Sequence, residues 1–211
     1  MSETPPPDLS LKPAMKALAK ADPDIARHYQ TCGLPPERYG DPTFAGLIRT
    51  IVSQQVSVAS ARAILGRLHE ALEHQVTAEK LLCLDDAACK QIGLSRHKVR
   101  YTRALAEHVL DGRLDPEGMD NFSDDEVIET MTRVPGIGRW TADIYLLFAL
   151  RRPDVWPAGD LAVREAQRRV KGLAERPTEK QSTEIAEAWR PHRSAAARFM
   201  WHAYRHPGLP D

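Results

Sequence analysis

The sequence predicts an all-α protein, and three observations carry that reading. Apolar residues recur at helical spacing along almost the whole chain. Alternating, strand-like patterns are short and isolated. Proline-containing breaks near 35–36, 153–157 and 177 separate one periodic segment from the next. At 211 residues the chain fits one domain, or two small lobes sharing a core. An apolar fraction of 42% excludes disorder throughout.

Taken in order, the acidic, proline-rich start from Met1 to Asp8 lacks the basic and apolar regions of a secretory signal. A disordered lead-in is expected over 1–9. Phe44, Leu47, Ile48, Ile51 and Val52 fall at i, i+3, i+4, i+7 and i+8, one face of an amphipathic helix. Val58, Ala61, Leu65, Leu68 and Leu72 form the next face, and Tyr101, Leu105 and Val109 another. Ser123 with Glu126 three residues on predicts a capping box and a helix start. Trp140 to Leu150 is apolar nearly all round, which predicts a central, buried helix.

No stretch reaches the roughly 20 apolar residues a membrane span needs. Cys32, Cys83 and Cys89 show no CxxC pair and no partner histidines at zinc spacing. Three thiolates are too few for an all-cysteine iron–sulfur cluster, which takes four. A reducing, cytoplasmic setting without a cluster is expected. Formal charge is zero, but it is unevenly spread. Nine acids stand against one arginine from Glu107 to Glu129, and twelve Lys or Arg against seven acids from Arg151 to Arg205. A basic face is compatible with a nucleic-acid partner. Solvated helix faces explain the same runs.

The run Val134-Pro135-Gly136-Ile137-Gly138-Arg139-Trp140-Thr141-Ala142 carries more chemistry. Pro135 fixes one torsion, and two glycines two apart permit a tight turn into a new helix. Backbone N–H groups at a helix start make an anion site, to which Arg139 adds charge and Thr141 a hydroxyl. A plain helix–helix turn uses the same residues. The whole string resembles the hairpin of the helix-hairpin-helix DNA-repair glycosylases, with Val134 in place of the usual leucine. The resemblance implies that Gly136, Gly138, Arg139 and Thr141 meet a DNA phosphate. It also implies a monovalent cation, Na⁺ or K⁺, at the carbonyls of Thr132, Val134 and Ile137, and no other cofactor.

Some twenty residues on, Trp156-Pro157-Ala158-Gly159-Asp160-Leu161 resembles the family's catalytic segment, which implies that Asp160 is the catalytic carboxylate. Read on its own, Asp160 is also a good N-cap, and the two roles are compatible because a helix N-terminus favours an ionised carboxylate. Members that also nick the strand carry a lysine where this chain has Trp140. The resemblance therefore implies a monofunctional enzyme in which water attacks. Within the family the chain looks like the 3-methyladenine DNA glycosylase II branch, in a short form without an N-terminal β domain. Trp140, Trp201, Tyr204 and Ile144 are implied as the base pocket, with Ile144 where the family has tyrosine. Taken singly, each aromatic also reads as core.

Ile51-Val52-Ser53-Gln54-Gln55-Val56-Ser57 resembles the turn that probes the minor groove, placing a wedge at Gln55, whose other reading is a capping amide. Arg193 and Ser194 are implied as phosphate contacts. The architecture implied is two-lobed, with the active-site cleft between lobes: one lobe about 43–157 with the hairpin at 134–142, the other about 10–42 plus 158–211. The implied partner is double-stranded DNA bearing alkylated bases, bound by a monomer in the cytoplasm (at the nucleoid in a bacterium). Two rival readings remain: a glycosylase for oxidised or deaminated bases, and a non-catalytic DNA-binding module.

Overall fold

The computed structural model describes residues 11–207. The lead-in expected over 1–9 lies outside them. Every regular element among the described residues is helical, and the chain divides into two compact units, 40–150 and the pair of segments 11–39 and 151–207.

The first segment folds as α1 (Leu11–Ala21) and α2 (Pro23–Cys32). Asp22 caps α2 by accepting from the N–H groups of Asp24 and Ile25, and Pro23 fills the first helical position.

The middle unit contains α3 (Phe44–Ser53), α4 (Val58–Ala71), α5 (Ala78–Leu82), α6 (Asp86–Ile92) and α7 (Arg96–Leu110). After a 3₁₀ turn at Met119–Asn121 come α8 (Asp124–Thr132) and α9 (Arg139–Ile144), which runs on as a π-helical turn over Tyr145–Ala149. Side-chain caps explain most of the starts: Thr43, Ser57, Thr77, Asp85 and Ser95 each accept an N–H from the following first turn. At Ser123 both halves of the expected capping box with Glu126 are present. The core holds the predicted face of α3, with Leu47, Ile48, Ile51 and Val52 buried.

Two apolar faces differ from expectation. Val58 is 80% exposed, and α4 buries Ala61, Ile64, Leu68 and then Leu72. Val58 is the first residue of α4, so the packed stripe starts one turn later. On α7 the buried stripe is Lys98, Thr102, Leu105 and Ala106, while Tyr101 and Val109 are half-buried.

The last segment carries α10 (Leu161–Lys171), α11 (Glu179–Ala186), a 3₁₀ turn at Glu187–Trp189, and α12 (Arg193–Tyr204). Helix α10 packs on α12 and α2. At its C-terminal end Lys171 meets both oxygens of Asp22 at 3.1 Å and Asp24 at 2.7 Å. Trp189 Nε1 donates to Asp22 at 2.8 Å. Burial opposes ionisation of Asp22, but these donors outweigh it and hold its carboxyl below the usual range.

The lobe boundaries expected at 43 and 157 fall instead at 40 and 150. Residues 151–157 group with α12 because the Arg193 and Ser194 side chains of that helix hold them.

Candidate active site

Asp160 is the N-cap of α10, half-buried, and its carboxylate accepts the Val163 N–H at 2.9 Å. The loop that delivers it is held by the start of α12. Ser194 Oγ donates to the Arg152 carbonyl at 2.6 Å and accepts the Val155 N–H at 2.9 Å. Arg193 Nε donates to Asp154 Oδ1 at 2.8 Å, and its Nη2 reaches the Asp154 carbonyl at 2.8 Å and Oδ2 at 3.0 Å. A further Nη1 bond joins Arg193 to Glu187 at 3.0 Å. Burial opposes ionisation of Asp154, yet the Arg193 hydrogen bonds and charge hold its carboxyl below the usual range. Trp156 Nε1 donates to Ser182 Oγ at 3.0 Å, and its ring meets Trp189 edge-on at 5.1 Å.

Arg193 and Ser194, expected at DNA phosphates, are both turned to this loop. The Arg193 side chain is 13% exposed, with its donors taken by carboxylates, and Ser194 is buried. Both side chains hold residues 152–155 of the loop that runs on to Asp160. On α12, Trp201 is half-buried, and Tyr204 is 40% exposed with the Arg169 guanidinium 5.5 Å from its ring centroid.

In the middle unit the hairpin connects α8 to α9. Gly136 has φ +92°, and a Cβ there would stand 2.3 Å from the Tyr101 ring. Only glycine satisfies both demands. Gly138 caps α9 with extended backbone, and a Cβ on it would meet no atom within 4 Å. The Val134 carbonyl accepts the Ile137 N–H at 3.0 Å. A carbonyl oxygen has a second lone pair, so the Val134 carbonyl keeps acceptor capacity beyond that bond. Among the described residues no group of three or more His, Cys, Asp or Glu side chains is arranged to hold a metal ion.

Helix α9 places its expected site residues in three different environments. Thr141 is buried, which removes its hydroxyl from surface phosphate contact. Arg139 Nε is bonded to Asp143 Oδ1 at 2.9 Å across one helical turn, with 67% of the Arg139 side chain still exposed. Trp140 is 44% exposed, although Ala142, Tyr145, Leu146 and Leu147 of the same helical run are buried. In place of the continuous buried helix expected there, α9 leaves Trp140 exposed in its first turn and buries Thr141, Ala142 and Asp143 directly after it, ahead of the change to π geometry at Tyr145. Ile144 lines a cavity of about 180 Å³ together with Asp41, Arg49, Thr50 and Phe148.

Gln55 is exposed with φ +56°, a left-handed backbone at a non-glycine residue. Its neighbour Gln54 donates from Nε2 to the Gly136 carbonyl at 3.2 Å, tying the turn to the hairpin. Sequence reasoning missed Gln54, Asp143 and Asp154, and read Lys98 only as part of the basic segment 96–103 that could contact flanking phosphates, whereas Lys98 is buried. Two left a signal: Lys98 precedes Thr102 and Leu105 at helical spacing, and Asp143 sits four residues after Arg139.

Comparison with known proteins agrees with this geometry. The family model "HhH-GPD superfamily base excision DNA repair protein" matches residues 48–191. The chain is 34% identical over 158 residues to DNA-3-methyladenine glycosylase 1 of Schizosaccharomyces pombe, covering 74% of this chain and 69% of that protein. Among solved structures, a DNA-3-methyladenine glycosidase from Bacillus halodurans superposes with a TM-score of 0.81 at 31% identity, covering 92% of this chain and 89% of the other. The S. pombe 3-methyladenine DNA glycosylase in complex with abasic DNA also gives 0.81, at 30% identity, covering 94% and 99%.

Proposed function

Because the chain belongs to the HhH-GPD superfamily of base excision DNA repair proteins, we propose that it is a monofunctional DNA glycosylase that removes alkylated purines of the 3-methyladenine type. The observation that carries this reading is Asp160, a carboxylate at the head of α10 on a loop clamped from three directions. Relatives at 30–34% identity whose names specify 3-methyladenine support the substrate class.

In this reading the hairpin amides around Gly136 and Gly138 hold a backbone phosphate. The carbonyls of Thr132, Val134 and Ile137 would hold a monovalent cation, which adds positive charge toward that phosphate. Gln55 enters the minor groove and fills the gap left by the flipped base. A ring-methylated purine is cationic, and the indole faces of Trp140 and Trp201 attract it by about 0.5–2 kcal/mol each. Tyr204 and Ile144 complete the wall. The bond between C1′ and the ring nitrogen breaks, and its electron pair neutralises the departing base. Asp160 stabilises the oxocarbenium-like sugar. Water adds at C1′ and releases a proton. With tryptophan at 140 there is no amine to form a Schiff base, so the strand stays intact.

The test is an excision assay on duplexes carrying 3-methyladenine, 7-methylguanine, hypoxanthine or 8-oxoguanine, read with and without alkali. The expected result is release of the methylated purines, strand breakage only after alkali, and loss of both in Asp160→Asn with the fold and DNA binding retained. Unimpaired excision by Asp160→Asn, or breakage without alkali, overturns the reading.

A further inference from the structure

The structure assigns Lys98 as a positioning residue for the turn over 53–57 that presents Gln55. Lys98 lies in the basic run Arg96-His97-Lys98-Val99-Arg100, yet it is only 9% exposed and points into the middle unit. Its ammonium donates to the Val52 carbonyl at 2.5 Å, across 46 residues of sequence. Val52 belongs to the last turn of α3, where carbonyls lose their helical partners and the helix dipole attracts a cation. Burial pushes the Lys98 ammonium below its usual range, so a salt link on the surface would have been the easier use of this side chain.

The backbone just after Val52 accounts for the arrangement. The chain leaves α3 at Gln54 with extended backbone, and Gln55 then takes φ +56°. A left-handed non-glycine residue costs on the order of 1–2 kcal/mol and persists only where its surroundings over-determine it. Two tethers do so here. Lys98 holds the carbonyl three residues before Gln55, and Gln54 Nε2 holds the Gly136 carbonyl from the adjacent position. The turn is thereby fixed to α7 on one side and to the hairpin on the other. Exposed Gln55 and Val56 are projected from a rigid base, with Val58 one turn-length beyond. A wedge gains from such rigidity because insertion into a stacked duplex must be met by a side chain already in place.

This inference rests on the wedge role of Gln55, so the experiment separates the two. Single-turnover excision is measured for Lys98→Met, Lys98→Arg and Gln55→Ala on two duplexes, one with the alkylated base paired and one with it opposite an abasic gap. In the second, flipping meets little resistance. Insertion is read independently of chemistry from 2-aminopurine fluorescence opposite a stable abasic analogue. Lys98→Met is expected to lose about tenfold or more on the paired duplex and far less on the gapped one, with reduced 2-aminopurine response. Lys98→Arg, which keeps a donor, is expected to restore most of the selective loss. Equal loss on both duplexes, or none, makes Lys98 merely structural and overturns the proposal. A Gln55→Ala variant without selective loss overturns the wedge role itself.

Discussion

The turn over 133–138 and the loop over 152–160 each lead into a helix whose start the proposed function uses, and they are shaped by opposite means. The hairpin takes its form from backbone: Gly136 at φ +92° against the Tyr101 ring, and Gly138 extended and open at the head of α9. The loop before Asp160 takes its form from side chains that arrive from 26 to 42 residues away, namely Ser182, Arg193 and Ser194. A site that must let a phosphate approach has to be bare. A site that must aim one carboxylate can be crowded, and gains precision from crowding.

The two hairpin glycines provide the sharpest test of that contrast. Gly136→Ala places a methyl group inside the Tyr101 ring at a left-handed position. The left-handed backbone costs about 1–2 kcal/mol, and overpacking about 1–3 more. A fall in Tm on the order of 10 °C is expected, together with lost DNA binding. Gly138→Ala meets no atom and needs no unusual torsion. Its Tm is expected to match the parent, while affinity for duplex DNA falls because the new methyl stands in the approach. Thermal melts beside binding titrations check both. A Gly138→Ala variant with full affinity would show that the phosphate does not sit there.

The same contrast explains which features were legible in the sequence. Local rules were readable: the α3 face, the Ser123–Glu126 capping box, the glycine turn and Asp160 as a cap all depend on residues within one or two turns of each other. The partners of Arg193 and Ser194, Asp154 and Arg152, were not legible because they lie about 40 residues away, and a basic residue beside a serine looks the same whether it meets phosphate or carboxylate. The burial of Thr141 was not legible for a related reason: helix position does not say which flank packs. Trp140 was expected inside because apolarity all round the segment hides which flank of the first turn of α9 packs. Lys98 was read with its basic neighbours as a surface charge, because a lysine on a buried stripe makes sense only when a carbonyl awaits it.

Removing the clamp on the other side of the comparison is the next largest effect. Arg193→Ala leaves Asp154 without its main partner, at a cost of about 2 kcal/mol. The hairpin is untouched, so affinity for duplex DNA is expected to hold. The single-turnover excision rate is expected to fall about tenfold to hundredfold as Asp160 loses its fixed approach. Equal losses in binding and rate would mean that Arg193 does meet DNA after all.

The smallest effect separates two buried aspartates by the sign of their response to acid. Asp22, near the far end of the helix that Asp160 heads, is held below the usual carboxylate range. It contributes stability above the unfolded value of about 3.9, and loses it as pH falls through the lower folded value. Asp143, on the buried side of the hairpin helix α9, goes the other way, since burial pushes its carboxyl up and Arg139 only partly offsets this. Its contribution is complete below the unfolded value and is lost as pH rises through the raised folded one. Melts of the parent, Asp22→Asn and Asp143→Asn between about pH 3.5 and 7 are therefore expected to diverge. As pH falls, the parent loses ground to Asp22→Asn and gains on Asp143→Asn. Parallel curves would mean that Arg139 compensates the burial of Asp143 in full, leaving its exposed guanidinium tied to the helix rather than ready for a phosphate.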